Sequence, residues 1–123
     1  ITDAELEVME ALWQGEGLTL AQVKERVTAR TGWSGDTVKT LLRRLVEKGA
    51  AAQERRGVYH YRPLVRRAEL EDYKTRTLID QLYDGKARDL VAALVERRQL
   101  DRSDVAELRD LFDKLWEERG EEA

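Results

Sequence analysis

Basic side chains are concentrated in one stretch of the chain, from Lys39 to Arg67. This stretch holds nine lysines and arginines against two glutamates, a local net charge of +7, although the whole chain carries a net charge of -3. Residues 1–67 carry +3 and residues 68–123 carry -6. Guanidinium and ammonium groups bind anions, and a dense basic patch is typical of proteins that bind nucleic-acid phosphates. Nucleic-acid binding is therefore the chemistry that this stretch predicts.

The first part of the basic stretch lies on a predicted amphipathic helix. Ser34 stands where a helix N-cap is expected, and Lys48-Gly49 is typical of a helix C-terminus. At about 3.6 residues per turn, the apolar residues form one stripe that should pack against a core. The stripe consists of Val38, Leu41, Leu42 and Leu45. The polar residues on or beside the opposite face are Asp36, Thr37, Lys39, Thr40, Arg43, Arg44 and Glu47.

A β-hairpin is predicted directly after this helix. Strand-forming residues run from Val58 to Arg62, and Pro63 should end the second strand because it cannot donate to a ladder. At the tip, Arg55 and Arg56 precede a turn glycine, where they could reach a phosphate backbone or a minor groove. An ordinary solvated hairpin tip is the alternative. An amphipathic helix followed by such a hairpin is the pattern of a recognition helix and its wing.

Two shorter helices are predicted before this pair, over residues 2–14 and from 20 to about 30. Thr2 and Glu5 stand in capping-box spacing at the first, and Thr19 is the expected N-cap of the second. Three short helices followed by a hairpin have the order of a winged helix-turn-helix. The residues that should pack from the second helix are Ala21, Val23 and Val27.

After the hairpin the pattern changes to three further helices, over residues 67–83, 86–98 and 102–118. The predicted fold class is thus mainly α with a small β-hairpin. We expect a winged helix-turn-helix domain over residues 1–65 and a helical domain over residues 66–123.

The second domain is expected to dimerise. A stretch of roughly 55 residues makes a thin independent core, and chains of that size commonly oligomerise to cover their apolar surface. A monomeric helical bundle is the alternative, since periodicity alone does not separate the two. The candidate dimerisation residues are Leu78, Leu82, Leu94, Leu108, Leu111, Phe112, Leu115 and Trp116.

Composition argues against several other classes of protein. The chain has no cysteine and one histidine, His60, so neither a disulfide framework nor a zinc site is expected. Neither Ser34 nor Ser103 stands in a nucleophile motif, and no phosphate-binding glycine loop occurs, so we expect neither an enzyme nor a cofactor. Without a long apolar run, no membrane insertion and no signal peptide are expected, and the cytoplasm is the expected compartment.

The chain resembles the penicillinase-repressor (BlaI/MecI/CopY) family over nearly its whole length. The resemblance implies a dimeric winged-helix repressor that binds double-stranded operator DNA with pseudo-palindromic half-sites, often of the TACA/TGTA type. It also implies that the C-terminal helical domain forms the homodimer. The matching residues are Ile1-Thr2-Asp3-Ala4-Glu5-Leu6-Glu7-Val8-Met9, Leu12-Trp13, Trp33-Ser34, Thr37-Val38, Thr40-Leu41-Leu42, Arg44-Leu45, Lys48-Gly49, Tyr59, Tyr61, Pro63 and Leu64.

In that family the third helix contacts the bases. The resemblance therefore makes the polar residues of the third predicted helix candidates for base contacts. Arg and Lys pair with guanine, and Thr hydrogen-bonds a base edge or contacts a thymine methyl group. For Arg43, a contact to the backbone alone is the alternative. The major-groove candidates are Thr37, Lys39, Thr40 and Arg43, with Ser34 and Arg44 nearer the phosphates and Arg55 and Arg56 on the wing.

Four features depart from the family pattern. Asp36 stands where a basic or polar residue is expected, and Gly35 replaces a proline, which leaves open a different operator preference. The cysteine cluster of the copper-responsive branch is absent. Beta-lactam-responsive members are cut at an Asn-Phe pair by a membrane sensor-protease, whereas the aligned pair here is Ala93-Leu94. Such a partner, and control of beta-lactam resistance genes, therefore stay open.

Two functions of other classes also stay open at this point. A winged helix can serve as a protein-interaction module, in which case the +7 stretch would contact an acidic protein. It can also belong to a regulator that senses a small ligand, which would need a roomy apolar pocket.

Overall fold

The computed structural model describes residues 1–122, with side chains described to Gly120. The chain divides into two compact units, Ile1–Tyr73 and a second that begins at Lys74. Three helices, a hairpin and three further helices follow one another in the predicted order. The helices are α1 (Asp3–Gln14), α2 (Leu20–Thr31), α3 (Gly35–Glu47), α4 (Arg67–Tyr83), α5 (Ala87–Glu96) and α6 (Arg102–Glu122), and the strands are β1 (Leu18–Thr19), β2 (Ala51–Arg56) and β3 (Val58–Pro63).

Helix α3 forms where its amphipathic pattern predicts it. The Ser34 side chain caps its first turn by accepting the Thr37 backbone N–H at 3.2 Å. At the other end the chain turns at Gly49, whose φ of +79° favours glycine, and the Ala50 N–H donates to the Leu45 carbonyl at 2.9 Å. The predicted apolar stripe is fully buried: Val38, Leu41, Leu42 and Leu45.

The sheet has three strands instead of the two predicted. Its order is β1-β3-β2, all antiparallel, and β1 pairs Leu18 with Tyr61. No sequence signal predicts β1, because a pair of residues shows no alternation and its partner strand lies far along the chain. The hairpin itself is confirmed, since Gly57 alone separates β2 from β3 and has a φ of +77°.

The core of the first unit is formed by α1, α2, α3 and the sheet. One prediction about it was wrong: Ala21 is exposed, because it lies in the first turn of α2 beside an open groove. The other two predicted residues of α2, Val23 and Val27, are buried. The largest fully buried side chains also include Val8, Met9, Leu12, Leu42 and Leu45.

Glu5 is a buried acid whose role differs from the predicted capping box. The Thr2 hydroxyl caps α1 by accepting the Glu5 N–H at 3.1 Å, but the Glu5 carboxylate points to Lys48. The Lys48 ammonium donates to both carboxylate oxygens, at 2.6 and 2.8 Å. Burial raises the pKa of Glu5, but the hydrogen bonds from Lys48 and Thr2 and the Lys48 charge outweigh it, so the pKa lies below its ordinary value.

The second unit contains only helices. Helix α5 is shorter than predicted, because Lys86 has an extended backbone and Arg98 has a φ of +55°, so neither continues the helix. Between Lys74 and Gly120 no described side chain is fully buried. Within residues 1–122, no helix is long and apolar enough to span a bilayer, and no group of His, Asp and Glu is arranged to hold a metal ion.

Candidate nucleic-acid interface

The outer face of α3 carries the predicted major-groove candidates on a surface open to solvent. Thr37, Lys39 and Arg43 are exposed, and Thr40 is half-buried. Ser34, at the N-cap, and Arg44 are exposed as well. Since the opposite stripe of α3 is buried, the helix holds these polar groups in fixed positions relative to the core.

Three hydroxyl groups at the start of α3 are already engaged in local hydrogen bonds. The Ser34 and Thr37 hydroxyl oxygens lie 3.1 Å apart, and the Thr40 hydroxyl donates to the Asp36 carbonyl at 3.0 Å. The Thr40 proton is thus used within the helix. Thr40 therefore presents a methyl group and an acceptor to a ligand, which suit a thymine methyl group or a base amino group.

The cations on α3 differ in their partners. Arg43 Nε lies 3.8 Å from Glu47 Oε1, in an exposed pair one helical turn apart. Among the residues that the structure describes, no carboxylate lies within ion-pair distance of Lys39 or Arg44. An exposed pair such as Arg43–Glu47 contributes little and is easily exchanged for a phosphate or a base.

The two wing arginines point to opposite faces of the hairpin, because neighbouring residues of a strand alternate. Arg55 pairs with Tyr59 across the ladder, and its guanidinium lies 5.7 Å from the centre of the Tyr59 ring. Gln53 and Tyr61 share this face of the hairpin. Arg55 therefore lies on the same side of the wing as the residues that border α3.

The opposite face of the wing carries an ion-pair network centred on Glu54. Its carboxylate accepts from Arg62 Nε at 2.7 Å and from Arg56 at 3.2 Å. The hydrogen bond and charge of Arg62, aided by Arg56, lower the pKa of Glu54 below its ordinary value. His60 shares this face, and its Nδ1 lies 3.0 Å from the Val58 carbonyl oxygen. Part of the positive charge counted in the sequence is therefore neutralised within the hairpin.

A groove of about 620 Å³ lies between the outer face of α3 and the sheet. Lys39 and Arg43 line it from the helix, and Gln53 and Tyr61 line it from the strands. Gln53 Nε2 donates to the Tyr61 hydroxyl at 3.1 Å, which fixes the floor of the groove. Asp36 also lines it, so the carboxylate that departs from the family pattern lies on the candidate interface itself.

Lys24 is a basic residue that the sequence pattern did not single out. Its Cδ would lie 3.2 Å from a Cβ atom built on Gly35, so the side chain passes over the first turn of α3. No sequence signal identifies this contact, because the position of Lys24 on α2 does not show which element it faces. The structure thus adds a cation near the N-terminus of the recognition helix.

The candidate dimerisation residues lie on the three helices of the C-terminal half. Seven of the eight are exposed, and Leu108 is half-buried. Trp116 exposes 81% of its surface and Leu82 exposes 67%. Ala93 and Leu94, the pair aligned with the cleavage site of the beta-lactam-responsive members, lie within α5, where Ala93 is half-buried and Leu94 is 37% exposed.

The first unit has the fold and surface of a winged helix-turn-helix DNA-binding protein. A buried three-helix core presents a polar recognition helix beside a basic wing. A sequence model of the penicillinase repressor family matches residues 1–114, and the chain belongs to that family. Since the family consists of transcriptional repressors, the prediction of a BlaI-type DNA-binding repressor, and not an enzyme, is confirmed.

Relatives of known function are similar over almost the whole chain. The penicillinase repressor of Bacillus licheniformis is 29% identical over 115 residues, which cover 93% of this chain and 90% of the relative. The methicillin resistance regulatory protein MecI of Staphylococcus aureus (strain N315) is 28% identical over 115 residues, with 93% and 94% covered.

Two solved structures are similar to part of the chain. The solution structure of the DNA-binding domain of the repressor BlaI aligns with a TM-score of 0.52 at 34% identity, covering 56% of this chain and 85% of that one. The monomeric form of Bacillus licheniformis BlaI, in complex with the blaP half-operator, aligns with a TM-score of 0.51 at the same identity and coverage. The predicted winged-helix fold is thereby confirmed.

Proposed function

We propose that this protein binds operator DNA as a homodimer, with α3 of each copy in a major groove and its wing on the adjacent backbone. The observation that carries the proposal is the outer face of α3, where Lys39, Arg43 and Thr40 are held in place by a buried apolar stripe. The half-operator complex of the related BlaI supports it. We assign base contacts to Thr37, Lys39, Thr40 and Arg43, and phosphate contacts to Ser34, Arg44, Arg55 and Arg56.

Dimerisation is assigned to the helical part of the chain, predicted as residues 66–123. The apolar residues between Lys74 and Gly120 have no core to enter, since none of them is fully buried. Phe112, Leu115 and Trp116 on α6 are 55%, 47% and 81% exposed. A contiguous exposed apolar surface of this kind is typical of an interface between subunits. A second copy of the chain is the occupant that a two-fold operator requires.

The genes that the protein represses are proposed to be of the beta-lactam resistance class, because related chains are named penicillinase repressor and methicillin resistance regulatory protein. The proposed site of action is the cytoplasm, where promoter DNA is accessible. A membrane sensor-protease is the proposed releasing partner, with Ala93-Leu94 in α5 as the proposed cleavage site.

The central test is selection of bound sequences from a pool of random duplexes, followed by binding measurements at fixed salt. We expect a two-fold sequence to be recovered, and the protein to bind it about a thousandfold more tightly than a random duplex. A footprint should protect both halves. Weak binding that is equal for all duplexes would contradict the proposal and would favour a protein-interaction module.

A further inference from the structure

Asp36 is an exposed carboxylate in the first turn of the recognition helix α3. It borders the groove between α3 and the sheet, and also a second cavity of about 280 Å³ that Thr37 and Arg44 line. Thr40 borders both cavities as well. Asp36 therefore lies within the polar face of α3, and not at its margin.

The Asp36 carboxylate is free to accept hydrogen bonds. Among the residues that the structure describes, no lysine or arginine nitrogen lies within ion-pair distance of it, and no side chain donates to it. Lys39 and Arg43 line the groove with Asp36 but do not pair with it. A helix N-terminus favours a negative charge, so the first turn of α3 accommodates the acid without a salt bridge.

The outward row of α3 that contains Asp36 is divided between acceptors and donors. Asp36, Thr40 and Arg43 follow one another at helical spacing, so they lie along one face. The Thr40 hydroxyl donates its proton to the Asp36 carbonyl at 3.0 Å, which leaves only its lone pairs for a ligand. The start of this row therefore presents acceptors, and the next turn presents the donors of Arg43.

A carboxylate in this place discriminates among the four bases. Phosphate oxygens repel it, so in a major groove it is stable only beside a hydrogen-bond donor. Guanine and thymine offer acceptors there, and adenine offers an amino group beside its N7 acceptor. Cytosine alone presents only a donor, its 4-amino group. The first turn of α3 therefore matches a cytosine.

We propose that Asp36 is a specificity-determining residue, whose carboxylate accepts a hydrogen bond from the 4-amino group of one cytosine in each half-site. The proposal rests on the proposed function, since it requires α3 to lie in a major groove. It does not depend on dimerisation, because one copy of α3 on one half-site makes the same contact.

The test compares the full-length wild type with three variants on single half-site duplexes, obtained by selection from random sequences. Asp36→Asn keeps the size of the side chain and replaces one acceptor by a donor, and Asp36→Ala removes both acceptors. Glu16→Gln is the matched control, because it removes the same charge from an exposed residue beside the Glu54 face of the wing. Each position of the half-site is varied in turn through all four bases, and the Kd is measured for each duplex.

For the wild type we expect one position at which cytosine binds about tenfold more tightly than any other base. Asp36→Asn should move the preference at that position to adenine, because an amide donates to N7 and accepts from the adenine amino group. Asp36→Ala should bring the four bases there within about twofold of one another and leave the other positions unchanged. Glu16→Gln should keep the wild-type preference at every position.

Retention of the cytosine preference by Asp36→Ala would overturn the proposal, as would a wild-type half-site without such a position. An equal change on every duplex would overturn it as well. Tighter binding to all duplexes would mean that Asp36 only repels phosphates, and weaker binding to all that it only stabilises the start of α3. Failure of the proposed function has a separate signature, because the wild type would then not prefer the selected half-sites over random duplex.

Discussion

The Glu5–Lys48 pair joins the first turn of α1 to the C-terminal end of the recognition helix. Glu5 is 1% exposed, and its carboxylate is satisfied by Lys48 and Thr2. An acid buried to this extent is retained only where it is paired, since an unpaired buried charge costs several kcal/mol. The pair therefore fixes the end of α3 against α1.

The pair should make stability depend on pH. Because the folded pKa of Glu5 lies below its ordinary value of 4.5, its contribution is complete above that pH and is lost as pH falls through the folded pKa. Glu5→Gln should lower the free energy of unfolding at pH 7 by about 1–3 kcal/mol. It should also reduce the loss of unfolding free energy as the pH falls from 7 to 3. Urea unfolding between pH 3 and pH 7 measures both, with the exposed Glu25→Gln as control. If Glu5→Gln lost as much unfolding free energy in acid as the wild type, the role of Glu5 in the pH dependence would be contradicted.

Arg43 is a candidate for base contact, since it lines the groove beside Lys39 and has only an exposed pair with Glu47. Arg43→Ala should weaken operator binding by about 1–3 kcal/mol and relax the preference at one base position. Fluorescence anisotropy on operators with single base changes measures this. Arg109→Ala, which removes the same charge from α6, should have little effect. Equal loss on every duplex would instead place Arg43 on the backbone.

The two arginines of the wing, Arg55 and Arg56, lie on opposite faces of the hairpin. Arg55 lies on the face shared with Tyr59 and Tyr61, whereas Arg56 pairs with Glu54 on the other. Arg55→Ala should therefore weaken binding to all duplexes alike. It should also reduce the slope of the logarithm of the binding constant against the logarithm of salt concentration by about one. Arg56→Ala should change the slope less. Binding titrations at several salt concentrations measure both slopes. A larger effect of Arg56→Ala would indicate that the Arg56 face of the wing, and not the Arg55 face, contacts the DNA.

Elements with local signals could be predicted, and contacts between distant residues could not. Helix α3 followed from its stripe and its Ser34 cap, and the hairpin followed from its turn glycine, because each signal lies within the element. Strand β1 was missed because two residues form it only by pairing with Tyr61. The ion pair of Glu5 with Lys48 spans 43 positions, and nothing in either local sequence names the partner.

The same distinction between local signals and contacts between elements holds for the candidate interface. Sequence reasoning identified the basic residues of α3 and of the wing, since composition and helical spacing reveal them. It did not show that Arg55 and Arg56 differ in their partners, that the Thr40 proton is used within the helix, or that Lys24 reaches Gly35. These facts depend on register and packing between elements.

At the scale of the whole molecule, the protein should be a dimer held by its C-terminal helices. Leu111→Asp places a charge on a residue of the apolar stripe that is 59% exposed, and it should yield monomers because a buried unpaired charge disfavours the interface. Sedimentation at micromolar concentration measures the mass, and operator affinity should fall with it. Ala106→Asp, on the polar side of α6, is the matched control. A wild type that sediments as a monomer would contradict dimerisation.

Release from DNA is proposed to follow cleavage within α5. Helix α5 has no buried residue and no side-chain cap at Lys86, so it should open locally at little cost and expose the Ala93-Leu94 bond. Cutting that bond would separate α6 from the rest of the chain and remove the avidity of two half-sites. We expect a cell-wall antibiotic to convert the intact band to shorter fragments on an immunoblot, in step with induction of the target genes. An intact band alongside induced genes would show that another signal releases the repressor.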